Sequence, residues 1–232
     1  MSSKIGSPES IPYPLIRVER DKRAYFIAKR LFDLVLAIAF LALSAPILML
    51  IALCIRLESP GPVIFKQKRV GKDGKIFGCY KFRSMYCDHP DPRELAFMRA
   101  FINGQVSEPP GGIGSTFKSH ERNKVTRVGR ILRRTSLDEL PQFINVLRGE
   151  MSLVGPRPHV VSEVAAYAPW HRRRLAVLPG ITGWAQVNGR SCLTFDQLVR
   201  YDLEYIERQS LAFDLAILFK TVTVVITGAG TE

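Results

Sequence analysis

The sequence predicts an α-rich α/β protein with one small β-hairpin, held at a membrane by an N-terminal helix–break–helix that enters and returns. Three observations predict this class. A single concentrated apolar run from Leu34 to Ile55, about 22 residues, has the length of a bilayer-embedded helix, and Pro46 sits in its middle. Two β-like segments flank an Asp-Gly turn just after it. Most of the rest carries helical periodicity between Gly/Pro punctuation.

Residues 1–20 hold Pro8, Pro12, Pro14 and several serines without an apolar stretch, and read as a flexible tail rather than a signal peptide. Residues 21–57 form a basic lead-in and the membrane hairpin; residues 58–232 form a domain at the membrane surface. Lys22, Arg23, Lys29 and Arg30 precede the apolar run, and Arg56, Lys66, Lys68 and Arg69 follow it. Positive flanks stay cytoplasmic, so both ends are expected on that side. Each arm, 34–44 and 47–57, reaches ~16 Å, about half of a hydrocarbon core. A kinked full crossing is the alternative that stays open. The Ser44 hydroxyl is a candidate partner for backbone opened at Pro46.

The segments 63–70 and 75–83 are expected to pair across Gly71-Lys72-Asp73-Gly74. Residues 86–122 look irregular, with a short helix over 94–102. Further helices are expected at 124–134, 138–148, 194–208 and 211–227. The last is apolar almost all round except Asp214 and Lys220, as a core helix or an interfacial one would be. The four cysteines at 54, 79, 87 and 192 show no metal-binding or disulfide spacing and are expected to be reduced thiols.

A formal charge of +12 implies anionic partners: nucleic acid, acidic lipid or phosphorylated small molecules. Nucleic acid is not expected, because the basic stretches carry few interleaved aromatics. The chemistry concentrates in Thr135-Ser136-Leu137-Asp138-Glu139-Leu140-Pro141-Gln142. Ser136 and Glu139 match a capping box, or Asp138 is the N-cap with Pro141 in the first turn; either places two carboxylates at a helix N-terminus. That position favours their ionised form and attracts phosphate. Such a carboxylate suits a nucleophile or a ligand to Mg²⁺.

Downstream, Pro156 and Pro158 fix φ on either side of Arg157, which suits phosphate binding; an ordinary proline turn is the bland reading. In Gly180 to Arg190, the residues Gln186, Asn188 and Arg190 form a polar strand face, or else belong to a structural strand with a bend. Lys81 and Arg83 share a strand face, either towards phosphate or as a solvated basic edge. Lys29 and Arg30 lie at helical spacing from Asp33, as headgroup anchors or as a cluster that receives a lipid phosphate.

In this order, K-R-x-x-D, Pro46, Y-K-F-R-S-M, R-R-T-S-L-D-E-L-P-Q, N-V-L-R-G-E-M-S-L-V-G-P-R-P and P-G-I-T-G-W-A-Q-V-N-G-R resemble the small monotopic polyprenyl-phosphate phosphoglycosyl transferases, or bacterial sugar transferases. The resemblance runs from Lys29 to about Gly228. It implies a re-entrant helix with both ends in the cytosol, at the cytoplasmic face of the inner membrane. It implies that Asp138 attacks the β-phosphate of a UDP-sugar and releases UMP, and that polyprenyl phosphate then takes up the phosphosugar. Glu139 completes the dyad, Mg²⁺ is the expected metal, and Arg157 is expected at the phosphates. Lys81, Arg83 and Arg190 are candidate phosphate ligands. Pro156, Pro158, Gln186 and Asn188 are candidates for the nucleotide-sugar pocket. Lys29, Arg30 and Asp33 are candidates for the polyprenyl phosphate, with Ser44 and Pro46 at the hairpin break. Membrane lipids are expected partners, and a homodimer through the C-terminal helix stays open beside a membrane contact. The chain has Ala45-Pro46 where many members have Ser-Pro, and Glu121-Arg122-Asn123-Lys124 replaces their acidic lead-in. The competing reading is a non-catalytic membrane module, for which Asp138→Asn would change little beyond slight stability.

Overall fold

The computed structural model describes residues 23–86, 100, 102–103, 125–189 and 193–227. Helix α1 spans Arg23–Glu58. A hairpin follows, β1 (Ile64–Val70) and β2 (Ile76–Phe82), then α2 (Arg127–Thr135), a 3₁₀ turn (Leu137–Glu139) and α3 (Gln142–Leu147). Strands β3 (Ser152–Val154) and β4 (His159–Val160) bracket the next loop, ahead of α4 (Val161–Ala165) and a 3₁₀ helix (His171–Ala176). Strand β5 (Gly180–Thr182) and helices α5 (Trp184–Val187), α6 (Phe195–Arg208) and α7 (Leu211–Thr227) complete the described chain. The expected tail, the short helix over 94–102 apart from residues 100 and 102, and Cys87, Cys192 and Arg190 lie outside the described residues.

Helix α1 is long and apolar enough to cross a membrane. One stripe is buried against the domain: Lys29, Asp33, Ala37, Ser44, Ile51 and Ile55, at spacings of four and seven that keep them on one side of a helix. Leu31, Val35, Ile38, Leu43, Ile47, Leu50, Leu53 and Leu57 stay exposed on the rest of its surface. A broad exposed apolar face of this kind is compatible with membrane association. The helix runs on through Pro46, so the break expected there is not formed and α1 is one continuous helix. Proline removes the N–H that the Ala42 carbonyl would accept, but the Ser44 hydroxyl donates elsewhere, to the Phe40 carbonyl at 2.6 Å.

Both ends of α1 are tied into the same body. Near the N-terminus the Asp33 carboxylate accepts the Leu153 N–H (3.1 Å), and Phe40 stacks on Phe143 at 4.2 Å. Near the C-terminus Ile51 and Ile55 pack with Phe82 and Leu132. The Glu58 carboxylate accepts the first N–H groups of α2, from Arg127 and Val128. Helix ends leave four such donors unpaired, so this carboxylate serves as a cap as well as a tether.

The hairpin forms where expected, antiparallel with Ile64 opposite Phe82 and Val70 opposite Ile76. Its turn is a 3₁₀ turn at Lys72–Gly74 with Asp73 at φ 53°. Strand β4 adds antiparallel to the other side of β1, whereas β3 pairs in parallel with β5 in a separate sheet. The loop from Gly155 to Pro158 therefore bridges two sheets. Gly155, Gly180 and Gly183 explain its tightness: a Cβ on Gly180 would strike the Gly155 backbone, and one on Gly183 would strike the Gly155 carbonyl. The expected polar strand beyond Gly183 is instead the short helix α5. There the Trp184 indole N–H reaches Glu204 on α6 (2.9 Å), which requires the chain to turn.

The main core gathers Ala37 of α1, Phe77, Val146, Met151, Leu153, Val154, Tyr205 and Ile217. Helix α7 joins the core on one side, as one of the two expectations had it: Ile217 and Asp214 are fully buried, while Phe219, Val222 and Val225 stay exposed on the other.

Candidate active site

Asp138 and Glu139 sit on the 3₁₀ turn between α2 and α3. Ser136 makes that turn. It adopts a left-handed conformation (φ 57°, ψ 16°) and ends α2, with its N–H on the Arg133 and Leu132 carbonyls. Its side chain caps nothing, and Pro141 stands at the N-cap of α3, so neither capping arrangement expected for Ser136 or Asp138 forms. The physical reason is that stronger partners claim Glu139. Its Oε1 accepts from Lys81 Nζ of β2 (2.8 Å) and from Arg157 Nη2 (2.8 Å), and Oε2 faces Arg157 Nη1 at 3.4 Å.

The prolines flanking Arg157 and its position between β3 and β4 aim the guanidinium at Glu139. Asn145 fixes the other side. Buried in α3, it accepts the Tyr80 N–H (3.0 Å) and donates to the Gly78 carbonyl (2.8 Å), strapping the turn's helix to the strand that carries Lys81. Arg69 of β1 is a further cation in the cluster, with Nη1 on the Pro158 carbonyl (2.8 Å) and Nε and Nη2 on Gln67. A small cleft lined by Arg69, Cys79, Lys81, Gln142, Arg157 and Pro158 opens here.

Charge decides the character of the site. Burial opposes ionisation of Glu139, yet Arg157 and Lys81 win and hold its carboxyl well below the usual range. Asp138 goes the other way: burial pushes its carboxyl up, Glu139's charge adds to this, and Lys81, Arg157 and Arg133 only partly offset it. The expectation that a helix N-terminus would favour ionised Asp138 is thus overturned by desolvation. Among the described residues no hydrogen bond or ion pair engages the Asp138 carboxylate. Lys81, Arg157 and Arg133 surround the Asp138–Glu139 pair, and Arg69 lies between Glu139 and Glu163, a concentration of positive charge that suits a phosphorylated ligand. Cys79, a free thiol, is buried beneath them, and burial raises its pKa.

No group of three His, Cys, Asp or Glu that could hold a metal occurs among the described residues. With both Glu139 oxygens engaged, Asp138 is the carboxylate most available to a hard cation, which would need ligand phosphates to complete its shell.

Several other expected site residues lie elsewhere. Arg83 reaches back to α1, donating to the Ser59 carbonyl (2.7 Å), the Ser59 hydroxyl (2.9 Å) and the Pro60 carbonyl (2.8 Å). It sits beyond the end of β2 and anchors the C-terminal end of α1, so it does not share Lys81's role. Gln186 donates to the Ile181 carbonyl; Asn188 donates to the Trp184 carbonyl and accepts from Lys220. Both hold α5 in place, away from the Glu139 cluster. Lys29, Arg30 and Asp33 do not form a cluster open to headgroups. Lys29 pairs with buried Asp214 (2.9 Å), Arg30 binds the carbonyls that end α3, and Asp33 takes the Leu153 N–H. The counter-charge for Lys29 comes from α7, 185 residues away in sequence, which periodicity near Lys29 does not reveal.

Sequence reasoning missed Arg69, Gln142 and Asn145. Arg69 was legible only as one of many flanking basic residues. An Asn inside a helical pattern is a poor helix former and was the available signal for Asn145.

The fold and site together define a class: a helix-rich protein with small sheets, one long apolar helix, and a carboxylate pair set among cations at the base of that helix. The bacterial sugar transferase model matches residues 24–228, and the chain belongs to that family. It is 40% identical to the galactosyl transferase CpsE of Streptococcus agalactiae serotype III, over 91% of this chain and 45% of that one. It is 45% identical to the UDP-glucose:undecaprenyl-phosphate glucose-1-phosphate transferase of Escherichia coli K12, over 84% of this chain and 39% of that one. With the enzyme of the same name from Caulobacter vibrioides it shares 41% identity over 92% of this chain and 73% of that one. The chain thus spans less than half the length of the first two relatives.

Proposed function

We propose that this chain transfers a sugar-1-phosphate from a UDP-sugar to polyprenyl phosphate, releasing UMP and giving a polyprenyl-diphosphate sugar. This would be the first membrane step of bacterial glycoconjugate assembly. The observation that carries the reading is the division of labour in the carboxylate pair. Glu139 is saturated by Arg157 and Lys81, while Asp138 beside it is unengaged among the described residues.

In this mechanism an Asp138 oxygen attacks the β-phosphorus, the bond from that phosphorus to the bridging oxygen breaks, and UMP leaves with the electron pair. The sugar-phosphate is then held on Asp138. An oxygen of polyprenyl phosphate attacks the same phosphorus, and the bond to Asp138 breaks, restoring the carboxylate. Two displacements at one nucleophile give ping-pong kinetics. Arg157 and Lys81 exchange part of their hold on Glu139 for the diphosphate, and Arg69 adds a third positive charge. Asp138, with Glu139 once its partners shift, would hold Mg²⁺ on the phosphates, where the ion neutralises charge.

We also read α1 as a re-entrant helix at the cytoplasmic face of the inner membrane. Support comes from the basic residues on both flanks of the apolar run, which favour the cytoplasmic side for each end.

The test is UMP release by detergent-purified protein supplied with undecaprenyl phosphate, Mg²⁺ and a panel of UDP-sugars. The panel includes UDP-glucose, UDP-galactose and UDP-N-acetylgalactosamine, since curated relatives are named for these sugars. Release with one sugar, lost in Asp138→Asn, is expected; folded protein inactive with every sugar would leave the non-catalytic membrane module.

A further inference from the structure

Arg174, Asp202 and Tyr167 form a buried cluster that the mechanism above does not use. Arg174 is 2% exposed and Asp202 1%. The Arg174 guanidinium is fully engaged: Nε (2.8 Å) and Nη2 (2.6 Å) meet Asp202 Oδ2, and Nη1 meets the Tyr167 hydroxyl at 2.6 Å. Nη2 also donates to the backbone carbonyl of Arg157 at 3.0 Å.

A buried ion pair is weak evidence for a stability role, because apolar residues of similar volume often serve as well. What an apolar residue cannot do is donate to the Arg157 carbonyl. The next carbonyl along, that of Pro158, is held by Arg69. Pro158 narrows the peptide after Arg157 through its own φ and through the extended bias it imposes on the residue before it, but neither proline holds the carbonyls against the rest of the fold. Two guanidiniums, planar forks with fixed donor directions, tie those successive carbonyls to side chains of the 3₁₀ helix His171–Ala176 and of β1, and so fix the loop's place as well as its shape. The side chain of Arg157 can then move between Glu139 and a ligand while its backbone stays still.

We infer that Arg174, held by Asp202 and Tyr167, is a positioning residue that fixes the peptide after Arg157 and so keeps that guanidinium on the diphosphate of a nucleotide sugar. This rests on the function proposed above. The experiment is a double-mutant cycle in kcat/KM between Arg174→Lys and Arg157→Lys. Alone, Arg174→Lys is expected to cost about 10–100-fold, the scale of a misplaced catalytic group. In the Arg157→Lys background it should cost less than about 3-fold, because groups acting through one another are not additive. Tyr167→Phe, which removes the acceptor of Arg174 Nη1 and leaves the ion pair, should show a smaller loss with the same disappearance, and carries the cycle if Arg174→Lys does not fold. Additive losses, or wild-type activity in Arg174→Lys, would overturn the inference.

A readout without turnover separates this inference from the proposed function. The coupling between Arg157→Lys and Glu139→Gln is measured by thermal unfolding, with Arg174 and with Lys in its place. Loss of coupling in the Arg174→Lys protein is expected; unchanged coupling would reject the positioning role. Should the unaltered protein turn over no UDP-sugar, the proposed function falls while this measurement still decides about Arg174.

Discussion

Adjacent carboxylates on one short turn have opposite fates because the turn aims them differently. Glu139 meets two cations within hydrogen-bond distance, whereas Asp138 meets burial without a direct partner. The rate of UMP release should therefore rise with pH through an ionisation above the ordinary Asp value, as Asp138 loses its proton and becomes nucleophilic. In Glu139→Gln a neighbouring negative charge disappears and two cations are freed, so that midpoint should move to lower pH; in Lys81→Met it should move higher. A pH profile of single-turnover rates checks both signs. Stability follows Glu139 in the acid range. Its folded-state pKa lies below the unfolded value, so its contribution is complete above that value and is lost as pH falls towards the folded one. The gap in unfolding temperature between wild type and Glu139→Gln should accordingly shrink as the solution is acidified from about pH 5.

Elements are joined here by a few buried polar contacts whose loss has calculable consequences. Lys29 of α1 and Asp214 of α7 form a buried pair, and Asp214 also accepts from Tyr25 and Tyr205. Removing one partner leaves a buried charge uncompensated, so Asp214→Ala should cost about 3–5 kcal/mol. The double variant Lys29→Met with Asp214→Leu should recover most of that, as measured by thermal unfolding in detergent. Strands β3 and β5 depend on the glycine contact instead. A methyl on Gly180 would enter the space of the Gly155 backbone. Gly180→Ala should cost about 1–3 kcal/mol by overpacking. UMP release should fall with it, because Gly155 begins the loop that carries Arg157.

At the scale of the whole molecule, both termini of α1 clasp one domain while its outer surface is a field of exposed aliphatic side chains. Exposed Phe219, Val222 and Val225 of α7 add to the apolar surface, and Lys29–Asp214 binds the two helices together. For a hairpin in one leaflet, single cysteines replacing Arg23 and Lys72 should both escape membrane-impermeant maleimide in intact cells. Labelling of either from outside would require a full crossing.

How much of this was legible in the sequence depends on the range over which each feature is decided. The apolar run, the β-hairpin around Asp73-Gly74, and helices near 124–134, 194–208 and 211–227 follow from local periodicity and turn chemistry, and they stand at Arg23–Glu58, Ile64–Phe82, Arg127–Thr135, Phe195–Arg208 and Leu211–Thr227. The grouping of Asp138, Glu139, Lys81 and Arg157 was also foreseen, because motif order carries it. Local pattern could not say which member of a basic or polar row turns inward. Lys81 reaches Glu139 while Arg83, two residues on, reaches Ser59; Lys29 finds its counter-ion on α7. The polar row of Gln186 and Asn188 braces a helix because Gly183 packs on Gly155. By itself the sequence determined the elements and the chemical inventory of the site. Only the tertiary structure decided which charges meet, since desolvation and pairing depend on neighbours brought from distant parts of the chain.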